Sequence, residues 1–304
     1  MKKIGFILGD PAGIGPEIIY KAITRYTEGY IPVLFGCKAL YEAQFGPCLE
    51  IEFHDVPAVE EIVAGHSTPE CGRISMESML KAVEMSNKGL IDAVVLGPIT
   101  KSSLAMAGKY DSELPLFQEG YGNASLGSVV QGQGIYRASA TGHIPFAQIH
   151  QVLSTDTVMR AARRIAWALE RTREGIGSIA VAGLNPHAGD GGMYGDEEER
   201  ILAPAIRQLQ QEGLPVSGPY PADTVFIRAM KGDFRGVVFL YHDQGNIAMK
   251  SAMFGEGVVL YAPAPCPVVT MGHGSALDIA GKNIADPANT IECIRVVKEL
   301  LGCA

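Results

Sequence analysis

The stretch Val181–Arg200, VAGLNPHAGDGGMYGDEEER, decides how the fold is read. The apolar run Ile179–Ala182 ends in Gly183. A loop follows with Asn185, Pro186, His187 and four more glycines by Gly195, and Asp196–Glu199 reads as an acidic helix start. A strand that runs into a loop and then a helix puts that loop at the carboxyl edge of a sheet, where open α/β folds bind ligands. Glycines let the backbone approach a ligand closely and take positive φ. His187 is the side chain in this loop able to ligate a metal as a neutral base. A Gly-rich turn with a surface histidine would have the same sequence.

The arrangement recurs twice. Gly134–Ala140 reads as a strand ending at Thr141-Gly142-His143-Ile144-Pro145, and Gly236–Leu240 as one ending at Tyr241-His242-Asp243-Gln244-Gly245. Parallel strands put such ends on one edge. Three neutral imidazoles gathered there, with an open fourth position, would suit zinc or a similar divalent ion. Hydrogen-bonded histidines of purely local importance are the alternative at this spacing. Asp223 and Asp243 are candidates for orienting ligands or moving protons, or for helix capping.

Working outward, Lys3–Leu8 reads as a buried strand, Gly9–Glu17 (GDPAGIGPE) as a loop, and the residues through Tyr26 as a helix. Pro16 suits a first helical turn and Glu17 its positive end. Glycines at 9, 13 and 15 make neither GxGxxG nor a Walker A loop. Further strands are expected at Ile31–Gly36, Ile91–Leu96, Val258–Ala262 and Pro267–Met271. Helices are expected at Lys38–Gln44, Thr155–Glu170, Ile201–Gln211 and Pro287–Leu300. Ser75–Lys88 is a helix with Met76, Met79, Leu80 and Val83 on its inner face. Gly218–Thr224 is a turn into a short helix, and Ala107–Tyr121 an irregular crossing between domains. Alternating strands and helices argue for a mostly parallel sheet. Lys101, just past the strand end at Gly97-Pro98, is an anion-binding candidate or a solvated lysine.

The chain has 304 residues, enough for two α/β domains. With 47% hydrophobic and 19% charged residues it is globular. A formal net charge of −8 and the lack of a basic tract argue against nucleic acid. No apolar run is long enough for a membrane span. The six cysteines form no CxxC pair, which fits free thiols in the cytoplasm.

Seven segments together resemble the 4-hydroxythreonine-4-phosphate dehydrogenase (PdxA) family over essentially the full length. They are Gly9–Glu17, Gly97–Lys101 (GPITK), His143, Leu184–Gly192 (LNPHAGDGG), Gly218–Phe226 (GPYPADTVF), Tyr241–Gly245 (YHDQG) and His273–Gly281 (HGSALDIAG). The resemblance implies two α/β/α domains, related in fold to isocitrate and isopropylmalate dehydrogenases. The expected domains are 1–125 with 280–304, and 126–279 with the cofactor loop near the junction. It implies a cytoplasmic homodimer that binds one divalent metal ion (zinc, magnesium, manganese or cobalt) through His143, His187 and His242. It also implies NAD, or NADP, held by the loop His273, Gly274, Ser275, Ala276, Asp278 and Asp286. Catalytic candidates are Asp223, Asp243 and Lys250; Lys101, Glu113, Leu114 and Lys250 are substrate-binding candidates.

The departures bear on the substrate. Where the biosynthetic enzyme carries His and Thr that contact substrate, this chain has Leu114 and Pro115. Where it carries Asn and Arg, this chain has Val259 and Val268. His242–Lys250 and Gly272–Gly281 are more similar to the branch that oxidises cis-dihydrodiol carboxylates. The expected activity is oxidation of a secondary alcohol in a small, unphosphorylated hydroxy acid or diol carboxylate, followed by decarboxylation. The alternatives are 4-hydroxythreonine-4-phosphate dehydrogenation and, in another class, a non-catalytic metal- or nucleotide-binding relative.

Overall fold

The computed structural model describes residues 1–26, 28–48, 50–252 and 257–303. The chain divides into two compact units, Met1–Leu126 with Val258–Ala304, and Gly127–Gly257.

The first unit contains β1 (Lys2–Ile7), α1 (Gly15–Arg25), β2 (Tyr30–Gly36), α2 (Lys38–Phe45), β3 (Glu52–Asp55), α3 (Pro69–Asn87), β4 (Ala93–Leu96), α4 (Lys101–Ala107) and α5 (Glu113–Gly120). The second contains β5 (Gly127–Gly132), β6 (Ile135–Ser139), α6 (Ile149–Val152), α7 (Thr155–Leu169), β7 (Ile179–Ala182), α8 (Ala203–Gln211), β8 (Val216–Tyr220), α9 (Ala222–Met230), β9 (Gly236–Phe239) and α10 (His242–Ala252). The first unit is completed by β10 (Val258–Ala262), β11 (Val268–Met271) and α11 (Ala288–Leu300).

Strand order in the first unit is β3-β2-β1-β4-β11-β10, parallel except for the β10/β11 pair. In the second it is β5-β6-β9-β7-β8, parallel except for β5/β6. β4, β7 and β9 are buried along their whole length, as parallel strands covered on both faces must be. The first core gathers Ile7, Phe35, Met79, Leu96, Phe117 and Val268. The second gathers Ile135, Ala180, Phe226, Val237, Phe239 and Met249.

Local chemistry sets the helix starts. Thr68 caps α3 by accepting from the Cys71 amide, with Pro69 in the first turn. Ser154 and Thr157 form a reciprocal capping box on α7.

Three expectations are corrected. The return to the first unit comes at Val258 rather than at 280, because β11 pairs in parallel with β4. Residues 107–121 are not an irregular crossing. They hold the end of α4 and all of α5, which buries Leu116 and Phe117. On α3, Leu80 is 39% exposed and Met76 only partly buried; Met79 and Val83 lie on the buried face as expected, together with Ser75, Ser78 and Ala82.

Candidate active site

In the second unit β9 lies between β6 and β7, all three parallel, so the segments after them leave one edge. Gln244 ties two of these ends together. Its Oε1 accepts from the Leu240 amide (2.8 Å) and its Nε2 donates to the Gly183 carbonyl (2.9 Å). Thr141 ties the third, donating through Oγ1 to the Leu240 carbonyl at 2.8 Å.

His143 and His242 meet on this edge, with ring centroids 4.5 Å apart. His242 Nδ1 lies 2.7 Å from Asp243 Oδ1, and its Nε2 lies 2.6 Å from Asn246 Nδ2. Asn246 Oδ1 accepts from Nη2 of Arg137, a β6 residue that is only 6% exposed. Burial lowers the Arg137 guanidinium from its ordinary value to about 10, which leaves it charged at neutral pH.

His187 follows β7 in a loop of another kind. His187, Ala188, Gly189, Asp190 and Gly191 are left-handed, with φ of 55°, 56°, 83°, 43° and 64°. One buried carboxylate braces this loop. Glu198 Oε1 accepts from the amides of Leu184 and Asn185, both at 2.8 Å, and Oε2 accepts from Asn185 Nδ2 at 2.8 Å. Glu198 is buried in a π-helical turn at Glu198–Leu202 before α8, where the sequence reads as a plain helix start. His187 is not grouped with the other two imidazoles. Among the described residues no three His, Cys, Asp or Glu side chains form a metal-holding cluster. As the side chains lie, two of the three expected ligands are adjacent and the set is incomplete.

Asp223, in the first turn of α9, lines a cleft of about 720 Å³ with His187, Gln244, Phe226, Ile227 and Ile247. Asp243 is exposed beside His242, and Lys250 is exposed in the last turn of α10. The eight residues from His242 to Lys250 put the lysine about 12 Å further along the helix axis.

In the first unit the carboxyl ends of β1, β4 and β11 are neighbours. The glycines of the 9–15 loop serve close backbone packing there. A Cβ on Gly9 would lie 2.3 Å from the Pro98 carbonyl oxygen, and one on Gly13 would lie 2.8 Å from Ser275 Cβ. Asp10, fully buried, accepts from the Ala12 amide (2.9 Å) and the Ser67 hydroxyl (2.5 Å).

The 272–286 segment is held against this loop. The Ile14 amide donates to the Ser275 carbonyl at 3.0 Å, and the Thr100 hydroxyl donates to Ser275 Oγ at 3.0 Å. Buried Glu17 accepts from the Ala285 amide (2.8 Å) and from Lys21 (2.6 Å), and Lys21 also donates to the Ala285 carbonyl (2.9 Å). His273, Gly274 and Asp278 are exposed, Ser275 is buried and Ala276 is left-handed. Asp286 accepts from the Ala288 amide at the start of α11 (2.9 Å).

Lys101 is exposed at the start of α4. Glu113 accepts from the Tyr261 hydroxyl at 2.8 Å. Burial, and then the Glu113 charge, push that phenol well above its usual range. Leu114 and Val259 pack against the first core, and Val268 is fully buried in it. Sequence reading missed Arg137, Asn246, Glu198, Glu17 and Lys21. Of these, Asn246 stands one helical turn after His242 and Lys21 one turn after Glu17, a spacing that carried a local signal; Arg137 carried none.

Residues 28–297 match the family described as pyridoxal phosphate biosynthetic protein PdxA. A 4-hydroxythreonine-4-phosphate dehydrogenase from Desulforapulum autotrophicum is 32% identical over 320 residues, covering 96% of this chain and 94% of the relative. Among solved structures, the 4-hydroxythreonine-4-phosphate dehydrogenase from Klebsiella pneumoniae is 29% identical, covers 99% of both chains and superposes with a TM-score of 0.88. The terephthalate 1,2-cis-dihydrodiol dehydrogenase from Burkholderia xenovorans LB400 is 29% identical over 98% of both chains, with a TM-score of 0.75. Likeness of fold alone extends to an isocitrate dehydrogenase from Methylococcus capsulatus, at 17% identity over 99% of this chain and 86% of that one, with a TM-score of 0.52. No helix among the described residues is long and apolar enough to cross a membrane. The chain belongs to the PdxA family, and these family relatives are dehydrogenases by name.

Proposed function

We propose that this chain oxidises the secondary alcohol of a small unphosphorylated hydroxy acid or diol carboxylate, with hydride passing to NAD. Loss of CO₂ from the resulting β-keto acid would follow. The observation that carries the proposal is the His143–His242 pair at the ends of adjacent parallel strands, with Asp243 exposed beside it.

NAD, or NADP in its place, is assigned to His273–Asp286. The exposed His273 and Gly274 and the bracing of the loop by Glu17, Lys21 and Ile14 support that assignment. A divalent ion (zinc, magnesium, manganese or cobalt) is assigned to His143, His187 and His242, with two of the three side by side. Asp223, Asp243 and Lys250 are the candidates for proton transfer. Lys101 and Lys250 are the candidates for a substrate carboxylate. A homodimer is supported by the exposed apolar side chains of α9 and α10. A reducing cytoplasm is supported by six unpaired cysteines.

The absence of phosphate from the proposed substrate rests on Leu114, Pro115, Val259 and Val268, whose side chains offer no donor; Leu114, Val259 and Val268 lie in or against the first core. Leaving phosphate oxygens unpartnered costs on the order of 1–3 kcal/mol for each lost donor. A second reading, a 4-hydroxythreonine-4-phosphate dehydrogenase, is favoured by the names of the Desulforapulum and Klebsiella relatives. NADH formation with 4-hydroxythreonine-4-phosphate and with cis-dihydrodiol carboxylates separates the two. The expected result is a higher kcat/KM for the unphosphorylated acids. A value of about 10⁴ M⁻¹ s⁻¹ or more for the phosphorylated one would establish the second reading. No turnover of any hydroxy acid would leave a non-catalytic relative.

A further inference from the structure

Arg137 is a buried cation whose outward hydrogen bond goes to a neutral amide rather than to a carboxylate. Its Nε has no hydrogen-bond partner among the described residues, and its Nη2 donates to Asn246. A guanidinium only donates. The end of the Asn246 carboxamide that faces Arg137 must therefore be the oxygen. The NH₂ end is then turned to His242 Nε2, 2.6 Å away. An NH₂ group only donates, so Nε2 must accept and carry the lone pair. The proton sits on Nδ1, which faces Asp243 Oδ1 at 2.7 Å.

We propose that Arg137 is a positioning residue. Acting through Asn246, it fixes His242 as the Nδ1–H tautomer with its lone pair on Nε2. The relay Arg137–Asn246–His242–Asp243 has one consistent set of donors and acceptors, and Arg137 sets its direction because its donors cannot be reversed. A histidine is readied as a neutral ligand or base when the nitrogen opposite the lone pair is held by a neighbour, here Nδ1 by Asp243; Asn246 occupies the Nε2 lone pair and would have to release it for that use. That use rests on the function proposed above; the tautomer itself does not.

The test is nitrogen NMR on the full chain with ¹⁵N-histidine, stripped of metal by a chelator, at about pH 8.5, above the ordinary imidazole range. Signals of His242 are assigned by their loss in His242→Gln. In the unaltered protein Nε2 should resonate in the lone-pair range and Nδ1 in the N–H range. Asn246→Asp keeps the side-chain shape and gives Arg137 a carboxylate. It should move Nε2 into the N–H range, because a carboxylate accepts where the amide donated. Arg137→Met frees the carboxamide to turn and should shift Nε2 part of the way. The Asp variant keeps the cation paired, so it decides the matter if the Met variant fails to fold. A proton on Nε2 in the unaltered protein would overturn the proposal. So would a lone-pair Nε2 in Asn246→Asp. Neither outcome depends on turnover, so the tautomer and the proposed reaction fail separately.

Discussion

Glu70 shows what one side chain contributes. It lies in the first turn of α3, where a negative charge meets the positive helix end, and it is 6% exposed. Arg73 donates to it twice, at 2.8 and 2.7 Å, and the Val59 amide donates at 2.8 Å. These bonds, Arg73's first, hold its carboxyl below the ordinary 4.5. A carboxyl whose folded value lies below its unfolded one adds stability that is fully present above the unfolded value. That stability is lost as pH falls through the folded one. Glu70→Gln should therefore melt below the unaltered protein at neutral pH, and the gap should narrow as pH falls below 4.5. Thermal scans across that range check it, and a gap constant through the acid range would refute it. At this scale the sequence shows the reactive residues better than their supports. His143, His187 and His242 are legible because each follows an apolar run. Arg137 and Asn246 are 109 positions apart and meet only once β6 and α10 are packed together.

Among the described residues, the loop after β7 concentrates left-handed backbone. Three non-glycine residues, His187, Ala188 and Asp190, are left-handed, at roughly 1–2 kcal/mol each. Glu198 offsets this with three charge-assisted hydrogen bonds, each contributing about 1.5–3 kcal/mol. Gly189 is where the two features touch: a Cβ there would lie 2.9 Å from Glu198 Oε2. Gly191 is left-handed too, with nothing within 4 Å of its missing Cβ. Gly191→Ala should cost about 1 kcal/mol, the left-handed penalty alone. Gly189→Ala should cost roughly 1–3 kcal/mol more by displacing the carboxylate. It should also speed hydrogen exchange at the Leu184 and Asn185 amides. Urea unfolding and exchange rates read both effects, and equal losses in the two variants would show that Glu198 does not hold the loop. The run Asp196–Glu199 announces an acidic turn in the sequence. Glu197 and Glu198 both accept from Asn185 Nδ2, and Glu198 is the buried one; no local pattern in the run encodes which of its carboxylates is buried. The helix Glu113–Gly120 was hidden for a related reason. Its short polar surround reads as loop, and its burial of Leu116 and Phe117 depends on α3.

For the molecule as a whole, the question is what covers α9 and α10. Ile227 and Met230 on α9 and Ile247 on α10 are 51%, 52% and 67% exposed, and all three line the same cleft as His187 and Asp223. Large apolar side chains grouped in this way mark an interaction surface rather than ordinary solvent-facing helix. If the proposed homodimer forms through this face, a second copy would exclude water beside the strained His187 loop. A stable interface buries roughly 1,200–2,000 Å² in total, so charges placed at its centre should break it. Ile227→Glu with Ile247→Glu should leave a folded monomer, measured by light scattering after size exclusion and by an unchanged far-ultraviolet circular dichroism spectrum. The unaltered protein should elute as a dimer at the same concentration. A dimer that survives both charges would move the interface elsewhere, and a monomeric unaltered protein would remove the homodimer from the proposed function. Either result would leave the His143–His242 pair unaffected, because both residues and the strands that position them belong to a single unit of one chain.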